Sequence, residues 1–378
     1  MKICIVCGRL CYGGAERVAV MWANGFHHRG HEVMVVTNLN DPITYSLDGG
    51  IKVRQLTGPN GNKLKKWAYS VPNLRRYIKE FTPDVVIGVL STCSLVAWMA
   101  TRGLGIPVIA TEHDSFERPK SAPMGKWTWF TKFILNKLYS HVTVLTEADK
   151  KVIGNRLSRV TVMPNPLAFA PVESFPQKEK AVLAVGRIDA GHYKGFDILI
   201  KAFGMTSNDW PLQIAGYGHP ESIDYYMKLA EECGIADRIQ FLGFVSNPME
   251  LYQRSEVFVL SSRYEGFGLV LIEAMSQGCA PVACDYKGRQ REIINPSSVL
   301  PQREEEQSAA VSEFCVCDNG ILCEPDNVDQ LAAAIARMIS DDKYRMSVQQ
   351  NAISRSRYYS IENTVDRWEQ LLNSLIRK

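Results

Sequence analysis

Residues 261–278 read SSRYEGFGLVLIEAMSQG and contain the strongest indication of the fold. The apolar run Val257–Leu260 before them has the composition of a buried strand, and a helix is predicted to begin near Gly268 and to stop at Gly278. A strand, a short glycine-containing loop and a helix in this order form the repeating unit of a parallel sheet covered by helices. This stretch therefore predicts an α/β fold.

The loop within this stretch is suited to an anionic ligand. A strand-to-helix turn points free backbone N–H groups and the positive end of a helix dipole at an anion, which favours phosphate. Glu265 lies in the loop and Glu273 just over one turn inside the helix, so both can accept hydrogen bonds from hydroxyl groups on either side of a diphosphate. Alternatively, Glu265 is a turn residue and Glu273 a solvated helix charge. The neighbours of Glu273 weaken this alternative, since Leu269–Met275 otherwise lacks polar side chains.

Alternation of strands and helices extends in both directions from this unit. The predicted strands are Lys2–Val6, Glu32–Thr37, Val85–Leu90, Val108–Thr111, His141–Thr146, Ala181–Val185, Leu212–Ala215, Ile239–Phe241, Val257–Leu260 and Pro281–Ala283. Four prolines between residues 163 and 177 interrupt the pattern and are typical of a linker. We therefore predict an α/β protein with two Rossmann-like parallel-sheet domains facing a central cleft.

The predicted boundaries follow from these breaks. The first domain spans residues 1–165, the linker 166–180 and the second domain 181–358, with a polar surface insertion containing local helix at 295–317. The last segment, 359–378, has apolar residues at helical spacing and is predicted to be a packed helix.

Composition narrows the class of protein. The chain has 378 residues, of which 46% are hydrophobic and 22% charged, as in an ordinary soluble globular protein. A net charge of +3 is too small to indicate nucleic-acid binding. The ten cysteines are scattered, and Cys315, Cys317 and Cys323 lack the paired spacing of a zinc site. We expect a reducing cytoplasm, no metal or other cofactor, and neither a signal peptide nor a transmembrane segment.

Further candidate residues follow other predicted strands. Arg187 comes directly after a strand and, with Lys194, can neutralise a diphosphate as charge develops on a leaving group. Gly216 follows the next strand, Gly14 opens the first helix without matching a known phosphate motif, and His113 follows the strand ending at residue 111. Each has an ordinary alternative, since loop cations are usually solvated and a lone histidine is usually structural.

Glu265 and Glu273, eight residues apart with Gly-Phe-Gly after the first, resemble the E-x7-E signature of the family 4 retaining glycosyltransferases. The resemblance covers nearly the whole chain through an ordered set of motifs: Gly13–Val18, Arg29–Val33, Val185–Arg187, Lys194–Phe196, Ala215–Gly218 and Phe241–Val245. It implies the GT-B architecture, with two Rossmann-like domains and a final helix that packs back across the first.

The resemblance also implies roles for the charged residues. Arg187 and Lys194 would hold the diphosphate of a nucleotide sugar, Glu273 the ribose hydroxyls and Glu265 the hydroxyls of the transferred sugar. His113 would contact the donor sugar near the reacting carbon.

Backbone groups have implied roles as well. Gly14 would approach the diphosphate from the first domain, and Gly216 lies in a motif similar to a nucleotide loop of the family. The groups near the base would be those of Phe244 and Val245. Those that contact the sugar and the phosphate would be Phe267, Gly268 and Leu269.

The implied activity is transfer, with retention, of a hexosyl or N-acetylhexosaminyl group from a nucleotide diphosphate sugar to a saccharide or lipid-linked saccharide. Uridine diphosphate is the default nucleotide. Because the leaving group needs stabilisation more than the acceptor needs a strong base, cations suit this chemistry; no Asp-x-Asp occurs in a plausible metal-binding position, which favours a metal-independent reaction. Two other functions fit the same fold: a sugar-nucleotide epimerase, which needs no acceptor, and a non-catalytic nucleotide-sugar-binding subunit.

The acceptor side has one candidate segment. Lys120–Leu138 interleaves lysines with tryptophans and phenylalanines, which suits a helix lying on an anionic membrane surface. A partly buried helix with solvated lysines fits equally well. The first interpretation predicts a cytoplasmic protein, peripheral on the inner membrane face, that meets a polyprenyl-linked saccharide.

Overall fold

The computed structural model describes residues 1–11, 13–58, 63–119, 123–188, 193–294 and 314–376. The chain divides into two compact units, one formed by Met1–Ala168 with Tyr359–Lys378 and the other by Phe169–Tyr358.

The first unit contains a parallel sheet of seven strands among the described residues, in the order β3-β2-β1-β4-β5-β6-β7. Its elements up to residue 162 are β1 (Lys2–Val6), α1 (Gly14–His28), β2 (Glu32–Thr37), β3 (Lys52–Gln55), α2 (Lys63–Phe81), β4 (Val85–Val89), α3 (Leu90–Thr101), β5 (Val108–Thr111), α4 (Lys126–Phe133), β6 (His141–Val144), α5 (Glu147–Ile153) and β7 (Val160–Val162).

The second unit has a seven-stranded sheet within the described ranges, in the order β10-β9-β8-β11-β12-β14-β13. Its elements are β8 (Glu179–Val185), α6 (Phe196–Gly204), β9 (Leu212–Ala215), α7 (Pro220–Glu232), β10 (Ile239–Gly243), α8 (Met249–Arg254), β11 (Ser255–Leu260), α9 (Leu269–Ser276), β12 (Ala280–Cys284), α10 (Arg289–Ile294), β13 (Cys315–Cys317), β14 (Gly320–Cys323), α11 (Val328–Ser340) and α12 (Asp342–Ser356). All neighbouring strands are parallel except β13 and β14.

The final helix, α13 (Ile361–Ile376), belongs to the first unit, where it packs on α1. Trp368 lies edge-on to Trp22 with ring centroids 5.0 Å apart. The two helices approach closely at Gly25, because a Cβ atom there would lie 2.7 Å from Val365. The apolar spacing predicted for this segment is thus the packing face of a helix that buries both tryptophans.

The predicted α/β fold class is confirmed, and all ten predicted strands are present. The sequence pattern missed four strands. Lys52–Gln55 has only one apolar residue, and Val160–Val162 is only three residues long. Both strands lie at sheet edges, where one-sided burial leaves little apolar signal. Gly320–Cys323 is fully buried but has only four residues.

The predicted insertion 295–317 needs a correction at its end. Residues 295–313 lie outside the described part of the chain. Cys315–Cys317, expected to be surface insertion with local helix, forms an antiparallel edge strand instead, because its backbone pairs with β14 through Cys315–Leu322 and Cys317–Gly320.

Candidate active site

The candidate donor site lies at one edge of the second sheet. Strands β10, β9, β8 and β11 are neighbours and parallel, so their carboxyl ends lie along the same edge. The residues that follow these ends are the predicted ones: Phe244, Gly216, Arg187 and the loop before α9. Ligands of open α/β sheets bind beyond this edge.

Two of these loops are joined by their backbones. The Ser261 hydroxyl donates to the carbonyl of Lys194 at 2.8 Å, and the Arg263 N–H donates to the carbonyl of Tyr193 at 2.8 Å. Gly195 is left-handed with φ of 64°, and a Cβ atom there would lie 2.0 Å from the Ser261 carbonyl oxygen. Only glycine therefore allows the loop that carries Lys194 to lie against the loop that carries Glu265.

Lys194 and Glu265 form an ion pair across these loops. Lys194 Nζ lies 2.6 Å from Glu265 Oε1, and the Ser262 hydroxyl donates to the same oxygen at 2.7 Å. The side chains are 27% and 13% exposed, respectively. The structure thus brings together a predicted diphosphate cation and a predicted sugar-binding carboxylate.

Arg263, which no sequence motif indicated, reinforces the same junction. Its guanidinium donates to both carboxylate oxygens of Asp197, at 2.8 and 2.7 Å, and also pairs with Asp326. Hydrogen bonding to Asp197 raises the pKa of Arg263. Bidentate pairing of this kind fixes orientation as well as charge. Arg263 and Asp197 are 66 positions apart, so no local spacing indicated their contact.

Glu273 lies inside α9 and is 2% exposed. The Tyr252 hydroxyl donates to its Oε2 atom at 3.2 Å. The alternative of a solvated helix charge is therefore wrong. A nearly buried carboxylate with a hydroxyl partner is costly to keep unless its remaining hydrogen-bonding capacity is used.

The side chain of Gln290 positions the start of α9. This fully buried amide donates to the carbonyl of Phe267 at 3.3 Å and accepts from the N–H of Tyr286 at 2.8 Å. Gly268 precedes the helix with φ of 101°, a conformation that favours glycine. Leu269 is the first residue of the helix, so the predicted turn into α9 is confirmed.

Glycines also allow close approach at β9. Gly216 has φ of 152°, and a Cβ atom there would lie 1.8 Å from the Gly186 carbonyl oxygen. Its N–H donates to the carbonyl of Gly243 at 2.8 Å. Phe244 follows and is 66% exposed, while Val245 is partly buried. The backbone at this edge is therefore compact, with an exposed aromatic ring beside it.

In the first unit, Gly14 begins α1 after the extended Gly13. The Glu16 carboxylate folds back over Gly13, where a Cβ atom would lie 1.9 Å from Oε2, and it accepts a 2.9 Å hydrogen bond from Arg9 Nε. The chain's own carboxylate thus occupies the position at this helix start that favours negative charge.

His113 follows β5, and its ring lies 5.5 Å from Trp22 with Nε2 3.1 Å from the Thr111 hydroxyl. Burial lowers the pKa of His113 to about 4, so the imidazole is neutral near pH 7. A neutral imidazole can exchange hydrogen bonds with sugar hydroxyls without carrying charge.

A buried ion pair supports the loop that carries His113. Lys132 Nζ donates to the carbonyls of Asp114 and Ser115 at 2.6 and 2.8 Å, and it lies 3.7 Å from Glu112. Asn136 donates to Glu112 at 2.9 Å. Burial raises the pKa of Glu112, and the nearby Lys132 opposes this shift.

This network removes one residue, Lys132, from the membrane interpretation of Lys120–Leu138. Lys120 lies outside the described residues, and Lys132 is buried beneath the His113 loop, so it cannot contact lipid. In the described part of the segment, the exposed residues after Gly125 are Lys126, Trp127, Trp129, Phe130, Ile134, Lys137 and Leu138, with Trp127 68% exposed. We call these residues the α4 aromatic face. Among the described helices, none is long and apolar enough to cross a membrane.

Comparisons with known proteins identify the family. The Glycosyltransferase Family 4 model matches residues 12–168, and the Glycosyl transferases group 1 model matches residues 168–355. The chain belongs to the family 4 glycosyltransferases. It is thus an enzyme of a retaining family that transfers hexosyl or N-acetylhexosaminyl groups from nucleotide sugars, which confirms the resemblance seen in the sequence.

Several known proteins are similar to this chain over nearly its whole length. A Campylobacter jejuni enzyme, GalNAc-alpha-(1->4)-GalNAc-alpha-(1->3)-diNAcBac-PP-undecaprenol alpha-1,4-N-acetyl-D-galactosaminyltransferase, is 26% identical over a 390-residue alignment that covers 98% of each chain. The structure is similar to sucrose-phosphate synthase from Thermosynechococcus elongatus, with a TM-score of 0.80, 19% identity and coverage of 100% and 99%. It is also similar to Anabaena HepE in complex with UDP and glucose, with a TM-score of 0.76, 18% identity and coverage of 99% and 100%.

Proposed function

We propose that this glycosyltransferase moves a hexosyl or N-acetylhexosaminyl group from a UDP-sugar to a polyprenyl-linked saccharide. One observation supports the donor assignment most strongly: the Lys194–Glu265 pair, Glu273 and the glycine turns lie at the same edge of the second sheet. The Campylobacter relative acts on an undecaprenyl-diphosphate-linked saccharide, and HepE binds UDP and glucose, which supports the choice of acceptor and nucleotide.

The residues divide the work of binding and leaving-group departure. Arg187 and Lys194 hold the diphosphate, Glu273 the ribose hydroxyls and Glu265 the transferred sugar. We assign the sugar and phosphate to the backbone of Phe267, Gly268 and Leu269 and the base to that of Phe244 and Val245, with Gly216 in a nucleotide loop. In the first unit, the family resemblance assigns the diphosphate to Gly14 and the donor sugar to His113. As the bond from the sugar C1 to the phosphate oxygen breaks, negative charge develops on that oxygen, and the two cations stabilise it. The acceptor hydroxyl attacks from the face that the diphosphate leaves, so its oxygen replaces the phosphate oxygen on C1 with the configuration retained. The hydroxyl proton passes to the departing phosphate oxygen.

A binding screen tests the donor assignment. UDP, GDP and ADP sugars are compared by thermal shift, and the strongest binder is then titrated against Arg187→Ala and Glu273→Ala. Each variant should weaken donor binding by about 1.5–3 kcal/mol, the contribution of a charge-assisted hydrogen bond. Arg254→Ala is the matched control, because Arg254 pairs with Glu179 at the opposite end of β8. Unchanged affinity in both site variants would contradict the assignment.

Product analysis separates the proposed activity from an epimerase or a non-catalytic subunit. A transferase consumes donor faster when a lipid-linked saccharide is added and attaches the sugar to it. An epimerase alters the sugar without acceptor, and a binding subunit turns over no donor at all.

We further propose that the enzyme works in the cytoplasm, with the α4 aromatic face resting on an anionic membrane surface. Exposed tryptophans beside Lys126 and Lys137 suit the interface between headgroups and acyl chains. The wild-type protein should float with vesicles that contain phosphatidylglycerol, and the variant with Trp127 and Phe130 changed to serine should not. Tyr225→Ser, which removes an exposed aromatic ring from the second unit, is the control. Equal flotation of both variants, or none by the wild type, would refute the proposal.

A further inference from the structure

Glu273 is placed in a part of α9 where every residue from Leu271 to Ser276 is buried. A carboxylate in such surroundings is oriented by what contacts it, because rotamers of a nearly buried side chain are held by packing. The Tyr252 hydroxyl contacts Oε2 at 3.2 Å. This contact belongs to no motif singled out in the sequence.

Tyr252 is itself held in place. It is fully buried, with its ring edge-on to Phe258 at 5.8 Å and tilted against Phe169 at 6.4 Å. It lies in α8, which packs against α9. A rigid aromatic ring brings its hydroxyl to the carboxylate at low entropic cost, since two torsions define its position.

Lys178 fixes α8 relative to α9 and β11. Its ammonium group donates to four backbone carbonyls, those of Tyr252, Gln253, Ser255 and Gln277, at 3.0 to 3.1 Å. These carbonyls lie at the end of α8, the start of β11 and the end of α9. The lysine therefore ties the residue that donates to Glu273 to the helix that carries Glu273.

We propose that Tyr252 is a positioning residue for the donor: its hydroxyl orients the Glu273 carboxylate so that this group can accept hydrogen bonds from the ribose. The inference rests on the proposed donor role of Glu273. The reaction centre is not involved, so the effect falls on donor binding and not on the chemical step.

The test is Tyr252→Phe, which removes the hydroxyl and keeps the ring. The donor KM should rise about tenfold with kcat changed by less than about twofold, since a lost hydrogen bond to a charged group has this order of effect. In a Glu273→Gln background, which has no carboxylate to orient, Tyr252→Phe should add little.

Tyr344→Phe is the matched control, because it removes a hydroxyl that donates to the Cys317 carbonyl at 3.2 Å in the same unit. Both variants lose a hydrogen bond and some thermal stability, but only the Tyr252 variant should raise the donor KM. Tyr252→Met, which also lacks the hydroxyl, should give the same rise in donor KM and serves if the phenylalanine variant does not fold.

The outcomes separate this inference from the proposed function. If Glu273→Ala weakens donor binding while Tyr252→Phe lowers only stability, the positioning role is refuted and the donor site stands. If neither Glu273→Ala nor Arg187→Ala affects donor binding, the donor site itself is refuted.

Discussion

Glu265→Gln is expected to affect UDP and UDP-sugar binding in opposite directions. In the free protein Glu265 holds Lys194 at 2.6 Å, so the cation proposed to bind the diphosphate is engaged by the carboxylate proposed to bind the sugar. Glutamine is isosteric, and its carbonyl oxygen can still accept from Ser262 and Lys194. The substitution therefore removes the charge while preserving the shape of the loop.

The magnitude follows from the exposure of the pair. A charge-assisted hydrogen bond contributes about 1.5–3 kcal/mol, and the lower end applies to side chains that are 27% and 13% exposed. Because Lys194 keeps a weaker bond to the amide, we expect UDP to gain about 1 kcal/mol, or about fivefold in affinity. A UDP-sugar also loses its charged acceptor for sugar hydroxyls, so it should bind about tenfold more weakly than to the wild type.

Calorimetric titration of UDP and of the preferred UDP-sugar measures both changes in one protein sample. Glu179→Gln is the control, because Glu179 pairs with Arg254 at the amino end of β8 and should leave both affinities unchanged. If UDP and UDP-sugar weaken in parallel in Glu265→Gln, Glu265 does not compete for Lys194 and the reasoning is wrong.

Three further predictions test the surrounding structure. Gly195→Ala should lower the melting temperature and donor affinity together, because its Cβ would lie 2.0 Å from the Ser261 carbonyl oxygen; unchanged values would contradict the close approach. Lys132→Met should cost about 3–5 kcal/mol in urea unfolding, because it leaves the buried Glu112 carboxylate without its cation. Lys132→Met with Glu112→Leu should recover much of this loss. Burial lowers the pKa of His113 to about 4, so its contribution to folding stability is present above pH 6.5 and lost as pH falls toward 4. His113→Gln should therefore flatten the pH dependence of the free energy of unfolding over that range. An unchanged slope of that free energy against pH would refute the buried neutral state.

The sequence was sufficient for features that depend on local pattern. Buried strands of a parallel sheet are continuous apolar runs, so the central strands of both sheets could be predicted from composition and length. Cys315–Cys317 could not, because this strand exists only through its pairing with β14. The right-handed hand of each crossover could also be predicted, but strand order and register could not, since contacts between distant segments determine them.

The candidate site shows the same division. The spacing of Glu265 and Glu273 is local and was visible in the sequence, as were the glycine turns. The contacts that orient these side chains join residues 71 positions apart in Lys194–Glu265 and 21 apart in Tyr252–Glu273. Lys132 shows the converse error: a lysine between aromatic residues resembles a surface charge until backbone carbonyls are found around its ammonium group.

The two glutamates of the signature differ in a way that their spacing does not show. Glu265 is in a loop and forms an ion pair with Lys194, so a bound phosphate can draw the Lys194 ammonium group away from the carboxylate. Glu273 is buried in α9, a helix that packs against α8 and is tied to it by Lys178. The position of Glu273 is therefore set before any ligand binds. Changes at Glu265 should therefore alter which ligand is preferred, whereas changes at Glu273 or Tyr252 should alter how tightly every nucleotide with a ribose is held. Binding of UDP, which lacks the sugar, separates the two effects, because it should strengthen in Glu265→Gln and weaken in Tyr252→Phe.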